Sequence, residues 1–401
     1  MVERLTEAMN TAIQEIRTWP GRNIQIFHHN DADGLCSGAI LTRAFERAGF
    51  EVGRFCLEKP YPEVLKKIYE QEGCILVFAD FAGRIAPMLS DMNQGRNLTL
   101  ILDHHVAEAS TDPRVHNLDP ELYGLKGDRD IAAATTCFLF ASALDGANRD
   151  LAYVATLGAV GDKFFVDGRL VSQNRAVTLE AVQQGTIEIG EHEAGEHYLL
   201  KSWKRLMPCD ELGRYLDVLG GAGYYQKGPD MGVRVCLEGT SSESDQMVTN
   251  LKETKDKAFD VEMTTLRKHG LKQTGHIQWF HVENRFSPMG VKMIGLFCES
   301  IKGMDFMDPR KYIAGFQRIP DQVPGFGPVS FNGVKVSMRV PDYLEGEIRA
   351  TRAMGLDILL PEATNRLGGF SDACHSLTAA TTVPLGREEA LIQEMENILG
   401  R

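Results

Sequence analysis

Four short acidic and histidine-bearing segments, each placed where an apolar run ends, constrain this chain more than any other feature of it. His29-Asn30-Asp31-Ala32-Asp33-Gly34 follows Ile24-Gln25-Ile26-Phe27, and Asp80 lies just past Ile75-Leu76-Val77-Phe78. Asp103-His104-His105 follows Leu98-Thr99-Leu100-Ile101-Leu102, and Asp162 lies just past a helical stretch ending Leu157-Gly158-Ala159-Val160. The apolar runs read as strands buried in a parallel sheet, and residues just beyond the carboxyl ends of such strands converge on the crevice where open α/β sheets bind ligands. Carboxylates gathered there repel one another. A divalent cation is what makes the arrangement tolerable.

The rest of the pattern sets the fold class. An amphipathic helix with Leu5, Met9, Ile13 and Ile16 on one face opens the chain. Strand and helix signals then alternate: Ile24 to Phe27, Leu35 to Ala48, Glu51 to Cys56, Tyr61 to Tyr69, Cys74 to Phe78, Ile85 to Met92 and Leu98 to Leu102. Such alternation predicts βαβ units and a doubly wound parallel sheet, with Ala132 to Leu144 and Leu151 to Val160 as helices that close the domain. From about Ala176 to Gly270 the strand signal fades, and Ser241 to Lys268 reads as a solvated connector helix. Past His276, short runs at Ile277 to Val282, Met293 to Glu299, Tyr312 to Phe316 and Val334 to Val340 predict strands of a smaller α+β domain. A chain of 401 residues is too long for one core, and the expected divisions are 1–185, a helical connector over 186–275, and 276–401.

Composition excludes several classes. The chain is 43% hydrophobic and 24% charged, as expected of a soluble globular protein. No run approaches the ~18 apolar residues of a membrane span. The polar start, Met1-Val2-Glu3-Arg4-Leu5-Thr6-Glu7, lacks the apolar stretch of a signal peptide, so a cytoplasmic protein is expected. Eight cysteines without a Cys-x-x-Cys pair suit reduced core thiols better than a zinc ribbon. A net charge of -12 argues against coating long nucleic acid, yet permits gripping a short strand end where bound cations offset the acidity.

The spacing suggests how the cations sit. In His29-x-Asp31-x-Asp33 an extended chain puts the three side chains on one face, so His29 and Asp31 can face one ion while Asp33 reaches a second. Asp80, from another strand, suits a bridge, with His104 and Asp162 completing the ligands of the second ion and His105 free to hydrogen-bond a phosphate. Mixed carboxylate and imidazole donors suit Mn2+, with Mg2+ or Co2+ as substitutes. Alone, a His-His pair is commonly filler and an Asp-x-Asp commonly a cap or loop; it is the four segments in order that carry the reading.

These segments resemble the four motifs of the DHH phosphoesterases, a family that includes RecJ-type single-strand exonucleases, oligoribonucleases, cyclic-dinucleotide phosphodiesterases and manganese pyrophosphatases. The resemblance implies one Mn2+ held by His29, Asp31 and Asp80 and another by Asp33, Asp80, His104 and Asp162, with His105 and Asp80 acting in catalysis and Asp103 orienting His104 or His105. It also implies a DHH catalytic domain over 1–185 and a DHH-associated substrate-binding domain over 276–401.

In the latter, Ser337 and Arg339 of Val336-Ser337-Met338-Arg339, Gly368 and Gly369 of Arg366-Leu367-Gly368-Gly369, and the later His375 are similar to the family's substrate-binding signatures. A Gly-Gly turn lets amides approach a phosphate, and arginine grips one bidentately. The family's histidine usually follows the glycines directly, whereas here Phe370 to Cys374 intervene. The small-residue segment Leu219-Gly220-Gly221-Ala222-Gly223-Tyr224, followed by Gly228-Pro229-Asp230, resembles one that RecJ-like members carry between their domains.

The expectation is therefore a two-Mn2+ phosphodiesterase releasing nucleoside monophosphates from an end of single-stranded or short oligonucleotides, without membrane association, and with a homodimer left open. Rival expectations are a cyclic dinucleotide, polyphosphate or nucleotide as substrate of the same chemistry, or a catalytically silent nucleic-acid-binding subunit.

Overall fold

The computed structural model describes residues 1–192, 195–201, 203 and 206–400, with the side chains of His192, Asp372 and Ala373 outside the description. Two compact units emerge: Met1–Val248 together with Pro324–Phe326, and Thr249–Val323 together with Gly327–Arg401. The stretch expected to be a connector, 186–275, thus divides at Val248 between them.

The first unit follows the expected alternation. α1 (Val2–Thr18) leads into β1 (Asn23–His28), α2 (Ala32–Arg47), β2 (Glu51–Cys56), α3 (Pro62–Ile68), β3 (Ile75–Ala79), α4 (Ala86–Asn93), β4 (Leu98–Leu102) and β5 (Val115–Asn117). The five strands form an all-parallel sheet in the order β2-β1-β3-β4-β5. β3 and β4 are buried throughout, which is why their sequences run without polar alternation. The chain steps from β1 outward to β2 and then crosses back past β1 to β3, so the topological switch point lies between β1 and β3. The β1 and β3 ends that carry His29 and Asp80 flank this point.

α5 (Ala133–Leu144) and α6 (Ala152–Gly161) are apolar on nearly every face because both are enclosed, packing on α2 and on each other. α2 passes among them with Gly34, Ser37, Gly38 and Ala39, small residues that permit close approach.

α7 (Ser172–Gln183) then leads into strands where the sequence pattern predicts helix. β6 (Ile187–His192), β7 (Gly195–Leu200) and β8 (Met207–Pro208) form a three-stranded antiparallel sheet. Only the short alternation Ile187-Glu188-Ile189 signals it in the sequence. Helices resume with α8 (Cys209–Asp217), a π-helical turn over Val218–Ala222, α9 (Gly228–Glu238) and α10 (Ser242–His269), the last covering the expected connector helix. No helix among the described residues is long and apolar enough to cross a membrane.

The second unit contains β9 (Lys272–Gln273), β10 (Ile277–His281), α11 (Lys292–Ile301), β11 (Tyr312–Arg318), β12 (Gln322–Val323), β13 (Gly327–Pro328), β14 (Gly333–Arg339), α12 (Asp342–Arg349), α13 (Leu356–Arg366), β15 (Phe370–Cys374), β16 (Thr378–Pro384) and α14 (Glu388–Leu399). Its mixed sheet has the order β15-β16-β14-β11-β10-β9. Val334, Val336 and Met338 face a core completed by Leu359, Leu360, Leu391 and Met395.

The run Met293 to Glu299, expected as a strand, is helical. Its buried residues Met293, Ile294, Phe297, Cys298 and Ile301 recur at helical spacing once the window extends to Ile301.

Glu262 on α10 is 1% exposed and accepts hydrogen bonds from Arg285 Nε (2.6 Å) and an Arg285 terminal nitrogen (3.0 Å), while Arg285 is 42% exposed. Removing the arginine strands a buried charge, whereas removing the glutamate leaves a cation that water can solvate. Arg285→Ala is therefore expected to cost about 2 kcal/mol, allowing for solvent at the exposed end, and more than Glu262→Gln. Thermal or urea unfolding of both variants checks the order.

Candidate metal centre

The register of the parallel sheet assembles the centre. His28, Ala79 and Leu102 are lateral neighbours on β1, β3 and β4, so the next residues, His29, Asp80 and Asp103, leave the sheet side by side. The backbone amide of His29 donates to Ala79 (3.3 Å) and that of Asp80 to Leu102 (3.0 Å), which continues the ladder to the site's edge. Asp80 then adopts a left-handed conformation at φ 64°, a turn that aspartate tolerates better than most side chains.

Asp31 caps α2, its Oδ1 accepting from the Gly34 amide at 3.0 Å, and its Oδ2 lies 2.6 Å from His29 Nδ1. The same His29 nitrogen is 3.4 Å from Asp80 Oδ2, while Asp80 Oδ1 is 3.4 Å from His104 Nε2. His104 Nε2 is 3.9 Å from Asp162 Oδ2.

Two sets of potential ligands follow: His29, Asp31 and Asp80, and Asp33, His104 and Asp162, the atoms of each set within 4.8 Å of one another. A further set, Asp80, Asp103, His104 and His105, adjoins them. His29 Nδ1 and His104 Nε2 are both buried and make no aligned hydrogen bond. Buried imidazole nitrogens that face carboxylate oxygens without an aligned hydrogen bond form a donor set that divalent cations fit. All six residues expected as metal ligands are thus brought together.

The remaining motif residues are placed around this centre. Asp103 Oδ1 accepts from the His104 amide (2.8 Å) and holds His105 Nδ1 at 2.7 Å, and its Oδ2 accepts from the Gly83 amide at 2.8 Å. Asp103 therefore orients His105, whose side chain is 34% exposed.

Asp33 has a second task. Its two oxygens accept from the Ala133 and Ala134 amides at 2.8 and 2.9 Å, capping α5, whose own first turn offers no capping side chain.

Sequence reasoning missed several supports. His104 Nδ1 donates to the Gly127 carbonyl at 2.6 Å, which fixes its orientation. Asp119, fully buried beside Gly83, is pushed up to about 8 by burial and the nearby Asp103 charge. From the helical segment beyond β8, Asp217 accepts from the Ala32 amide (3.2 Å) and the Gly220 carbonyl from Asn30 Nδ2 (3.1 Å), so residues far along the chain grip the first motif. None of these carries a spacing signal.

In the second unit Ser337 and Arg339 stand together, an Arg339 terminal nitrogen donating to Ser337 Oγ at 3.1 Å, and Arg339 Nε pairs with Glu299 at 3.0 Å. The expected glycine cradle lies at the end of α13. The Gly368 and Gly369 amides donate to the Asn365 and Thr364 carbonyls, ending α13, and are spent there. β15 follows, and His375 comes directly after it. The inserted Phe370 to Cys374 is that strand.

No family model matches the chain. An uncharacterized protein of Methanocaldococcus jannaschii is 25% identical over 215 residues, which cover 52% of this chain and 47% of that protein, so the match spans about half the relative's length. Among solved structures, a DHH-domain protein described as a member of a family of ribosomal proteins superposes with a TM-score of 0.64 at 14% identity, covering 99% of this chain and 92% of that one. The chain has the DHH fold. The exonuclease RecJ bound to manganese is also similar, with a TM-score of 0.58 at 16% identity over 99% of this chain and 94% of that one. DHH-domain proteins are thus structural neighbours over nearly the whole chain.

Electrostatics give the centre a pH signature. Burial pulls the His29 imidazole down, but the Asp31 and Asp80 carboxylates outweigh it and hold it at about 10. His104 is likewise raised by Asp80 and Asp162 against its burial. Burial and the neighbouring carboxylates also raise Asp33, and push Asp162 up to about 7.

With its folded value above the unfolded one, the His29 imidazole contributes stability that is complete below about pH 6.5 and lost as pH rises through about 10, and His104 acts in the same direction. A cation must displace these protons. Calorimetric titration with Mn2+ near pH 7, in buffers of different ionisation enthalpy, is expected to show net proton release and tighter binding as pH rises. Absence of proton release would mean the imidazoles are not ligands.

Proposed function

We propose that this protein is a two-cation phosphodiesterase that hydrolyses single-stranded or short oligonucleotides from one end, releasing nucleoside monophosphates. The observation that carries this reading is the division of Asp80, one oxygen facing His29 and the other His104, as a carboxylate bridging two neighbouring cation sites requires. Cations held by His29, Asp31 and Asp80 and by Asp33, His104 and Asp162 would supply Lewis-acid stabilisation of the phosphoryl oxygens and an acidified water.

The chain's own groups do the rest. Asp103 fixes His105 through Nδ1, so that Nε2 is presented to a phosphate oxygen or to the leaving oxygen. In the second unit, Ser337 and Arg339 are assigned to a phosphate, for which Arg339 exchanges its pairing with Glu299. Likeness to the manganese-bound exonuclease RecJ supports oligonucleotides over other phosphodiesters as the substrate, and Mn2+ as a cation for the site.

The test is Mn2+-dependent hydrolysis of a panel: 5′- and 3′-labelled single-stranded DNA and RNA, dinucleotides, cyclic dinucleotides and polyphosphate. Stepwise shortening of labelled strands is the expected result. Turnover confined to cyclic dinucleotides or polyphosphate would overturn the substrate. Cation binding without any turnover would leave a silent binding subunit.

A further inference from the structure

Beyond the metal centre, the residues that follow Asp162 form a braced tongue. Val166 and Arg169 exchange backbone hydrogen bonds of 2.9 and 3.1 Å around Asp167 (φ 49°) and Gly168 (φ 74°), closing a two-residue hairpin turn. Phe164 anchors its base, its buried ring packed edge-on against the His104 imidazole at 5.2 Å. The small sheet that the sequence does not signal supports the other side. The Glu196 amide on β7 donates to the Gly168 carbonyl at 2.8 Å, and Tyr198 Oη accepts from the Leu170 amide at 2.9 Å.

Between these anchors stands Phe165. One face of its ring is backed by Tyr198, with centroids 6.2 Å apart and planes 27° apart, yet Phe165 is 37% exposed where Tyr198 is 2% exposed. Lys163, exposed and held in a left-handed conformation at φ 63°, joins Phe164 to the expected metal ligand Asp162. A non-glycine residue in that conformation persists only where its surroundings enforce it. A wet aromatic face, rigidly backed and three residues from a phosphate-handling carboxylate, with a cation two residues before it, matches the surface of a nucleotide: a flat base beside an anionic phosphate.

We infer that Phe165 is the stacking platform for a nucleobase of the strand whose phosphodiester lies at the metal centre, with Lys163 meeting an adjacent phosphate. This assignment rests on the phosphodiesterase reading above and deepens it, since it makes the enzyme demand a base and not only a phosphoester. It also gives β6 to β8 a purpose, as the brace for this ring.

The test uses the full chain in Mg2+. Phe165→Trp places a fluorophore on the platform, and its added emission is expected to be quenched saturably by a deoxynucleoside monophosphate but not by ribose 5-phosphate. In Mn2+-dependent hydrolysis of single-stranded oligonucleotides, Phe165→Ala is expected to raise KM about tenfold, a larger change than in kcat. Placing an abasic residue at the strand end should raise KM comparably in the wild type, with little further effect in the variant. Equal quenching by the two ligands, or none, overturns the platform even if hydrolysis is normal. Base-specific quenching without hydrolysis of any strand rejects the phosphodiesterase reading and retains the platform.

Discussion

Asp80→Asn is expected to lower metal-dependent hydrolysis by on the order of 10^3-fold or more and to leave the fold intact. Asparagine tolerates the left-handed backbone at this position, so the loss reports on the carboxylate and not on strain. The change replaces one acceptor oxygen with an amide nitrogen and removes a charge, while His29 and His104 continue to face the same two atoms. Bridging then becomes impossible, and the number of cations bound per chain should fall below two. Elemental analysis of the dialysed protein measures stoichiometry, and the hydrolysis rate measures function. Full stoichiometry with an undiminished rate would exclude a bridging role for Asp80.

The second large effect belongs to a residue that touches no substrate. A Cβ on Gly127 would overlap the His104 carbonyl oxygen outright, and the Gly127 carbonyl is the partner of His104 Nδ1. Gly127→Ala must therefore push apart two backbone segments inside a buried region and release the imidazole. The expected cost is about 2–4 kcal/mol of stability together with loss of the second cation. Gly146→Ala is the control, since a methyl group there meets nothing within 4 Å. Chemical denaturation of both variants, followed by Mn2+ titration of the folded fraction, tests the pair. Unchanged cation binding in Gly127→Ala would show that the carbonyl does not position His104.

The contrast between these two residues shows what was legible. Asp80 could be read from the chain because a buried parallel strand announces itself as an unbroken apolar run, and the crevice position follows from where the run stops. The same logic placed His29, Asp31, Asp33, His104 and Asp162, and the α/β class of the first unit. Gly127 could not be read, because its contact with His104 depends on how the loop after β5 folds back, which no local period encodes. The capping of α5 by Asp33 was hidden for a similar reason, the partners lying about 100 residues apart.

Local ambiguity accounts for other differences. Met293 to Glu299 is short and apolar, a pattern shared by buried strands and helices, and only packing against the second unit's sheet decides for α11. β6 and β7 alternate too weakly to stand out from their charged surroundings, and pairing with each other, not intrinsic preference, makes them strands. Phe370 to Cys374, the insertion between Gly369 and His375, pairs with β16 as the strand β15, which the sequence does not signal.

By itself, then, the sequence determined which side chains gather at the strand ends, because strand periodicity and the short reach of residues beyond a strand are local properties. Tertiary structure alone decided what holds those side chains in place: the Gly127 carbonyl behind His104, Asp217 and Gly220 behind the first motif, and the β7 brace behind Phe165. These supports are hydrogen bonds and close approaches between distant segments, and their partners are fixed only when the whole chain packs.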